Sequence, residues 1–127
     1  MPRPPAKELT QRELEVMHVF WRLGQATAMQ ARDDLAEQGP HLTYTTVATF
    51  VRILVDKGFL TPSNHERPFC YRPTRPFTEV SRCLVDNLVE RVFQGSREQL
   101  LLCLFDQPHL RPEERSKLEA ILAELEA

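Results

Sequence analysis

The chain has 127 residues and a mass of 14.7 kDa, which is enough for one domain or two small ones. Its composition, 42% hydrophobic and 27% charged, is typical of a soluble globular protein, and its three widely spaced cysteines do not suggest a disulfide framework. The longest apolar run, residues 100–105, is too short to cross a bilayer, so we expect a cytoplasmic protein without direct membrane insertion.

The net charge of -2 conceals a difference between the two halves of the chain. Residues 1–76 contain ten Lys and Arg against eight Asp and Glu, whereas residues 77–127 contain six against ten. This distribution favours a first half that faces a polyanion and a second half with another role.

Capping patterns and glycines divide the chain into six predicted helices, at 11–23, 28–38, 44–57, 79–94, 97–105 and 112–126. Residues 2–5 are predicted to be a disordered leader. Two short β-prone segments, 60–61 and 69–71, flank a polar turn and predict a hairpin. The sequence therefore predicts a mainly α protein with two domains. Residues 1–76 would form a winged helix-turn-helix of three helices plus a β-hairpin wing, and residues 77–127 a helical dimerisation domain.

The third predicted helix has an unusual polar face. Its apolar residues form one continuous arc, and the opposite side carries threonines and an arginine instead of the usual Glu, Lys and Gln. Short hydroxyls, methyl groups and a long cation are suited to base edges and phosphates in a major groove. With the hairpin tip, the predicted DNA-binding residues are Thr43, Tyr44, Thr45, Thr46, Thr49, Arg52, Lys57 and Arg67.

Each of these residues also has a purely structural interpretation. The threonine face could be a solvated surface, and Tyr44 could form a hydrophobic staple across the helix cap. Lys57 could simply complement the helix dipole, and Arg67 could be a solvated loop charge. Arg52 could contact either a guanine or a phosphate, and the sequence leaves that choice open.

The second half carries more apolar residues than about 50 residues can bury alone. One alternative is packing against the first domain, but the uninterrupted apolar run 100–105 cannot face a single side. We therefore expect two copies to associate into a homodimer. The predicted dimerisation residues are Leu84, Leu88, Val92, Leu100, Leu101, Leu104, Phe105, Leu118, Leu122 and Leu125.

Several of these segments together resemble the penicillinase-repressor group of bacterial transcription regulators (BlaI/MecI type). The resemblance rests on Leu9-Thr10 with Glu13-x-Glu15-Val16-Met17 and Trp21, on 44–49 with Lys57-Gly58, and on Tyr71-x-Pro73. It implies a homodimer that binds a pseudo-palindromic operator in double-stranded DNA and represses genes, often for antibiotic resistance. In well-known members of the group, a membrane-embedded metalloprotease receptor triggers release by proteolysis.

The chain departs from that group at three points. Many members have an arginine directly before the leucine at position 54, where this chain has Ile53 and its basic residue is Arg52. Well-studied members are cut within an Asn-Phe pair, and the corresponding pair here is Cys103-Leu104. The Cys-x-Cys pattern of the copper-responsive branch is absent, so copper sensing is not expected.

No enzyme motif and no metal-ligand spacing occurs in the sequence, so we expect neither catalysis nor a metal or other cofactor. Two other functions stay open. The first is a winged-helix module for protein-protein interaction without DNA binding. The second is a regulator with a ligand pocket between dimer helices.

Overall fold

A computed structural model describes residues 9–106 and 108–126, with only the backbone at Glu126. The predicted leader, residues 2–5, lies outside the described residues. Helix α1, Gln11–Leu23, begins with a capping box in which the Thr10 hydroxyl accepts from the Glu13 N–H at 3.2 Å. In return, the Glu13 carboxylate accepts from the Thr10 N–H at 3.0 Å. The buried face of α1 supplies the centre of the core through Val16, Met17, Val19 and Phe20.

Strand β1, Ala26–Thr27, and helix α2, Ala28–Gln38, follow a turn at Gly24. A second capping box starts α2, where Thr27 and Gln30 exchange hydrogen bonds of 2.8 and 3.1 Å. The bounds of α2 match the prediction. Strand β1 was not predicted, because two residues are too few to show an alternating pattern.

Helix α3, Tyr44–Asp56, is capped by the Thr43 hydroxyl, which accepts from the Thr46 N–H at 3.2 Å. Val47, Val51 and Leu54 are buried against α1 and α2. The helix ends at Asp56, and Lys57 is its C-cap residue. Gly58 follows with φ 87°, a conformation that glycine adopts readily and that turns the chain towards the wing.

Strands β2, Leu60–Pro62, and β3, Cys70–Pro73, form the wing and pair with β1 in the antiparallel order β1-β3-β2. The Asn64 side chain braces the turn between them. Its carbonyl oxygen accepts from the Cys70 N–H at 2.9 Å, and its amide donates to the Pro68 carbonyl at 3.1 Å. The predicted hairpin is thus present, with a third strand added at its edge.

Helix α4, Phe77–Val92, begins earlier than predicted, and its first turns belong to the same compact unit as the winged helix. The Phe77 ring lies 5.2 Å from the Trp21 ring, and Val80 is buried. The first unit ends at Cys83 and the second begins at Leu84, so the division falls within α4 and not at the predicted residue 76. The ring contact between Phe77 and Trp21 attaches the start of α4 to the first unit.

The second unit contains the rest of α4 together with α5, Arg97–Phe105, and α6, Pro112–Glu126. Ser96 caps α5 by accepting from the Gln99 N–H at 3.1 Å, and α5 and α6 have the predicted bounds. Val89 is fully buried, whereas many other apolar side chains of this unit are exposed. Within the two described ranges, no helix has the length and apolar character needed to cross a membrane.

Candidate nucleic-acid interface

The polar face of α3 is exposed. Thr45, Thr49 and Arg52 face solvent, whereas Val47 and Val51 on the opposite side are buried. This separation follows from helical geometry, because residues three and four apart share one face. Within residues 9–83 no side chain covers the strip, so it is accessible to a partner.

The threonine hydroxyls of α3 differ in their hydrogen bonding. The Thr49 hydroxyl donates to the Thr45 carbonyl at 2.9 Å, and the Thr43 hydroxyl donates to that of Thr46 at 2.9 Å. Within the described part of the chain, the Thr45 side chain makes no hydrogen bond. Thr45 therefore offers both a donor and an acceptor, whereas the hydroxyl proton of Thr49 is already used.

A groove of about 950 Å³ runs between α3, the start of α2 and the wing. Within the described part of the chain, the charged residues that line it are Arg52 and Arg67, which leaves its charge positive. The remaining lining residues are small, apolar or aromatic: Thr27, Ala28, Met29, Tyr44, Thr45, Ala48, Thr49, Val51, Val55, Pro62, Pro68, Phe69 and Tyr71. A positive groove with an apolar floor can accept an anionic backbone together with flat or methyl-bearing groups.

The wing places a cation at the edge of this groove. The Arg67 guanidinium lies 5.8 Å from the centre of the Phe69 ring, within the range of a cation–π interaction. Asn64 fixes the turn that carries both residues. Arg67 is exposed, and the ring limits the conformations of its long side chain before any partner arrives.

Lys57 is engaged inside the domain. Its ammonium lies 2.7 Å from the carboxylate of Glu13, and its side chain is 23% exposed. Burial alone raises the pKa of Glu13, but the hydrogen bond and charge of Lys57 and the hydrogen bonds of Thr10 lower it below its ordinary value. The sequence suggested a DNA contact for Lys57. The pair with Glu13 accounts for Lys57 without a DNA contact.

Several groove residues were not predicted from the sequence. Met29 comes from the first turn of α2, and Phe69 and Tyr71 come from the wing. The exposure of Met29 and Phe69 is unusual for large apolar side chains, but only the folded chain brings them beside α3. Among the other predicted contacts, Thr43, Tyr44 and Thr46 lie exposed at the start of α3.

The predicted dimerisation residues all lie in the second unit. Leu88, Val92, Leu101, Leu104 and Leu125 are exposed, with Val92 at 60% and Leu125 at 77%. The others are half-buried: Leu84, Leu100, Phe105, Leu118 and Leu122. Exposed apolar side chains in such number are uncommon on a monomer surface.

The first unit has three helices followed by a hairpin wing, and the third helix has an exposed polar face. This arrangement defines a winged helix-turn-helix protein of the DNA-binding type. Comparison with known proteins agrees with this class. The sequence profile of the penicillinase repressor family matches residues 9–124. The chain is 24% identical over 119 residues to the penicillinase repressor of Bacillus licheniformis, covering 92% of this chain and 91% of that protein.

Three further similarities extend this result. An uncharacterized 16.5 kDa protein of Latilactobacillus sakei is 32% identical over 117 residues, which is 91% of this chain and 78% of that protein. The solved DNA-binding domain of the repressor BlaI is 25% identical with a TM-score of 0.51, covering 62% of this chain and 93% of that one. RosR of H. salinarum, 20% identical, shares the fold over 94% of both chains with a TM-score of 0.55.

The chain belongs to the penicillinase repressor family, a family of transcriptional repressors and not of enzymes. The fold predicted from the sequence and the family resemblance are confirmed.

Proposed function

We propose that this protein represses transcription as a homodimer that binds a pseudo-palindromic operator, with one α3 helix in the major groove of each half-site. The observation that carries the proposal is the exposed strip of Thr45, Thr49 and Arg52, which lines a positive groove. A helix with short side chains on its outer face can approach base edges closely.

Each part of the groove has a distinct role in this proposal. Thr45 and Thr49 pack their methyl groups against bases, and the Thr45 hydroxyl exchanges hydrogen bonds with a base or phosphate oxygen. Arg52 supplies the long cation of the strip. Arg67, held over Phe69, neutralises a phosphate beside the groove, and Tyr44 packs on the sugar-phosphate backbone.

Dimerisation in this proposal uses the second unit. Its exposed leucines and valines would be covered by the same residues of a second copy, as in a twofold symmetric interface. A single winged helix contacts few bases. In a dimer each protomer contacts one half-site, so the number of DNA contacts doubles.

The biological setting follows from family membership. We propose a cytoplasmic repressor of antibiotic-resistance or stress genes that is released by proteolysis or another signal. In the proteolytic case a membrane metalloprotease sensor would act upstream. Cys103 and Leu104, the pair at the position where well-studied members are cut, are both exposed on α5.

The test is a gel-shift titration with a duplex selected from a random library by the wild-type protein. Thr49→Ala and Arg52→Ala are expected to weaken binding about tenfold or more each, the value of one base or phosphate contact. Arg82→Ala, at an exposed arginine of α4, is the matched control and is expected to bind like wild type. Failure to select any duplex, or salt-independent affinity, would favour a protein-protein module instead.

A further inference from the structure

The C-terminal end of α3 is joined to the start of α1 by one ion pair. Glu13 is 5% exposed, and its Oε1 accepts from the Lys57 ammonium at 2.7 Å and from the Thr10 N–H at 3.0 Å. One carboxylate oxygen thus takes part both in the cap of α1 and in a contact 44 residues along the chain. Lys57 directly follows the last residue of α3.

Backbone hydrogen bonds also hold this end of α3. The Lys57 N–H donates to the Ile53 carbonyl at 2.9 Å, and the Phe59 N–H donates to the Leu54 carbonyl at 2.9 Å. These bonds close the helix but do not fix it against α1. The buried faces of α1 and α3 are largely apolar, with Phe20 and Val51 among their buried side chains, and apolar contacts are nondirectional and tolerate small rotations. The ion pair is therefore a directional link between the two helices.

We propose that Glu13 and Lys57 form a positioning pair that fixes the angle of α3 in the domain and thereby sets the sequence selectivity of DNA binding. This inference rests on the proposed function. Neither residue needs to touch DNA. A small rotation of α3 moves Thr45, Thr49 and Arg52 away from base edges, whereas phosphate contacts made by flexible arginines adapt to it. Loss of the pair therefore lowers specific binding more than nonspecific binding.

The alternative is that Lys57 contacts a phosphate directly. The two roles differ in the salt dependence of binding, because each lost phosphate contact lowers the slope of log affinity against log salt by about 0.9. A positioning pair leaves that slope unchanged. It also predicts that Glu13→Gln lowers selectivity as Lys57→Met does, although an acidic residue cannot bind a phosphate.

The experiment uses the full chain with Glu13→Gln, Lys57→Met and the double variant. Affinity is measured for the selected duplex and for a scrambled duplex of the same composition, at several salt concentrations. Circular dichroism verifies that each variant is folded under the binding conditions, and denaturant unfolding gives its stability. We expect all three variants to lose about tenfold in the ratio of specific to nonspecific affinity, with the wild-type salt slope.

The double variant separates positioning from stability. Replacing both charges leaves no uncompensated buried charge. The stability of the double variant is therefore expected to recover towards wild type, while its selectivity stays low. Asp34→Asn is the matched control, because it breaks the Arg22–Asp34 ion pair, which joins α1 to α2 without involving α3. It is expected to lower stability and leave the affinity ratio unchanged.

Three results would overturn the proposal. The single variants could keep the wild-type affinity ratio, or the double variant could recover selectivity together with stability. The third result is a reduced salt slope in Lys57→Met alone. These results are distinct from failure of the proposed function. In that case the wild-type protein itself would show no preference for any duplex.

Discussion

The Thr49 hydroxyl donates a hydrogen bond of 2.9 Å to the carbonyl oxygen of Thr45, one turn earlier in α3. Two threonines on the same exposed face therefore present different chemistry. Thr49 has committed its proton to the backbone, and its methyl group is the part without a polar partner. Thr45 keeps its hydroxyl available.

This difference predicts opposite tolerance to valine, which keeps the shape of threonine and replaces the hydroxyl with a methyl group. Thr49→Val is expected to bind the selected duplex within about threefold of wild type. Thr45→Val is expected to lose about tenfold, because a hydrogen bond to DNA disappears. Gel-shift titration of the two variants side by side measures this, and equal losses would show that the hydroxyl of Thr49 also reaches DNA.

The wing predicts an effect that is independent of DNA sequence. Removing Arg67 with Arg67→Ala should weaken binding to selected and scrambled duplexes alike and lower the salt slope by about 0.9. Phe69→Leu should give a smaller loss with an unchanged slope, because the cation remains but loses the ring that orients it. A loss restricted to the selected duplex would instead assign Arg67 to base contacts.

The ion pair of Glu13 predicts a pH dependence of stability. Its pKa is lowered in the folded protein from the ordinary 4.5. The pair therefore stabilises the fold above that ordinary value, and the contribution is lost as the pH falls through the lower, folded pKa. Denaturant unfolding at a series of pH values should show this loss below about pH 5 in the wild type. Glu13→Gln should show a smaller loss, and curves that stay parallel throughout would contradict the assignment.

The stability cost of breaking the pair is also predicted. Lys57→Met leaves a buried carboxylate without its main partner, which costs about 1–3 kcal/mol of unfolding free energy near neutral pH. Denaturant midpoints measure this cost. An unchanged midpoint would mean that water replaces the ammonium without penalty.

The exposed apolar residues of the second unit predict that a charge placed among them dissociates the dimer. Val92 is 60% exposed in the single chain, so Val92→Glu should cost a monomer no more than about 0.5 kcal/mol. In a dimer the same charge would be buried, and sedimentation equilibrium at micromolar concentration should show monomers. Ser116→Glu, at an exposed polar position of α6, is the control and should remain dimeric. A dimeric Val92→Glu variant would exclude Val92 from the interface.

Local patterns allowed much of the first unit to be predicted. The capping boxes at Thr10 and Thr27 mark the helix starts because each uses residues three apart in the chain. The two faces of α3 could be predicted in the same way, because the period of a helix alone separates them. The apolar face holds Val47, Val51 and Leu54. The polar face holds Thr45, Thr49 and Arg52.

Features that depend on distant parts of the chain could not be predicted. Strand β1 exists because β3 pairs with it, as Thr27 does with Cys70. The Trp21 indole donates to the Arg75 carbonyl at 3.0 Å and so fixes the start of α4 in the first unit. The groove residues Met29 and Phe69, and the partner of Lys57, likewise depend on three-dimensional proximity that no spacing in the sequence encodes.

Chemical footprinting is the most direct test of the central claim, that the exposed face of α3 enters the major groove. Dimethyl sulfate methylates guanine N7, which lies in the major groove, and adenine N3, which lies in the minor groove. On the selected duplex, the wild-type protein should protect guanine N7 in two patches separated by about one or two helical turns. Arg52→Ala should reduce that protection. Protection confined to adenine N3, or none at either position, would contradict the account.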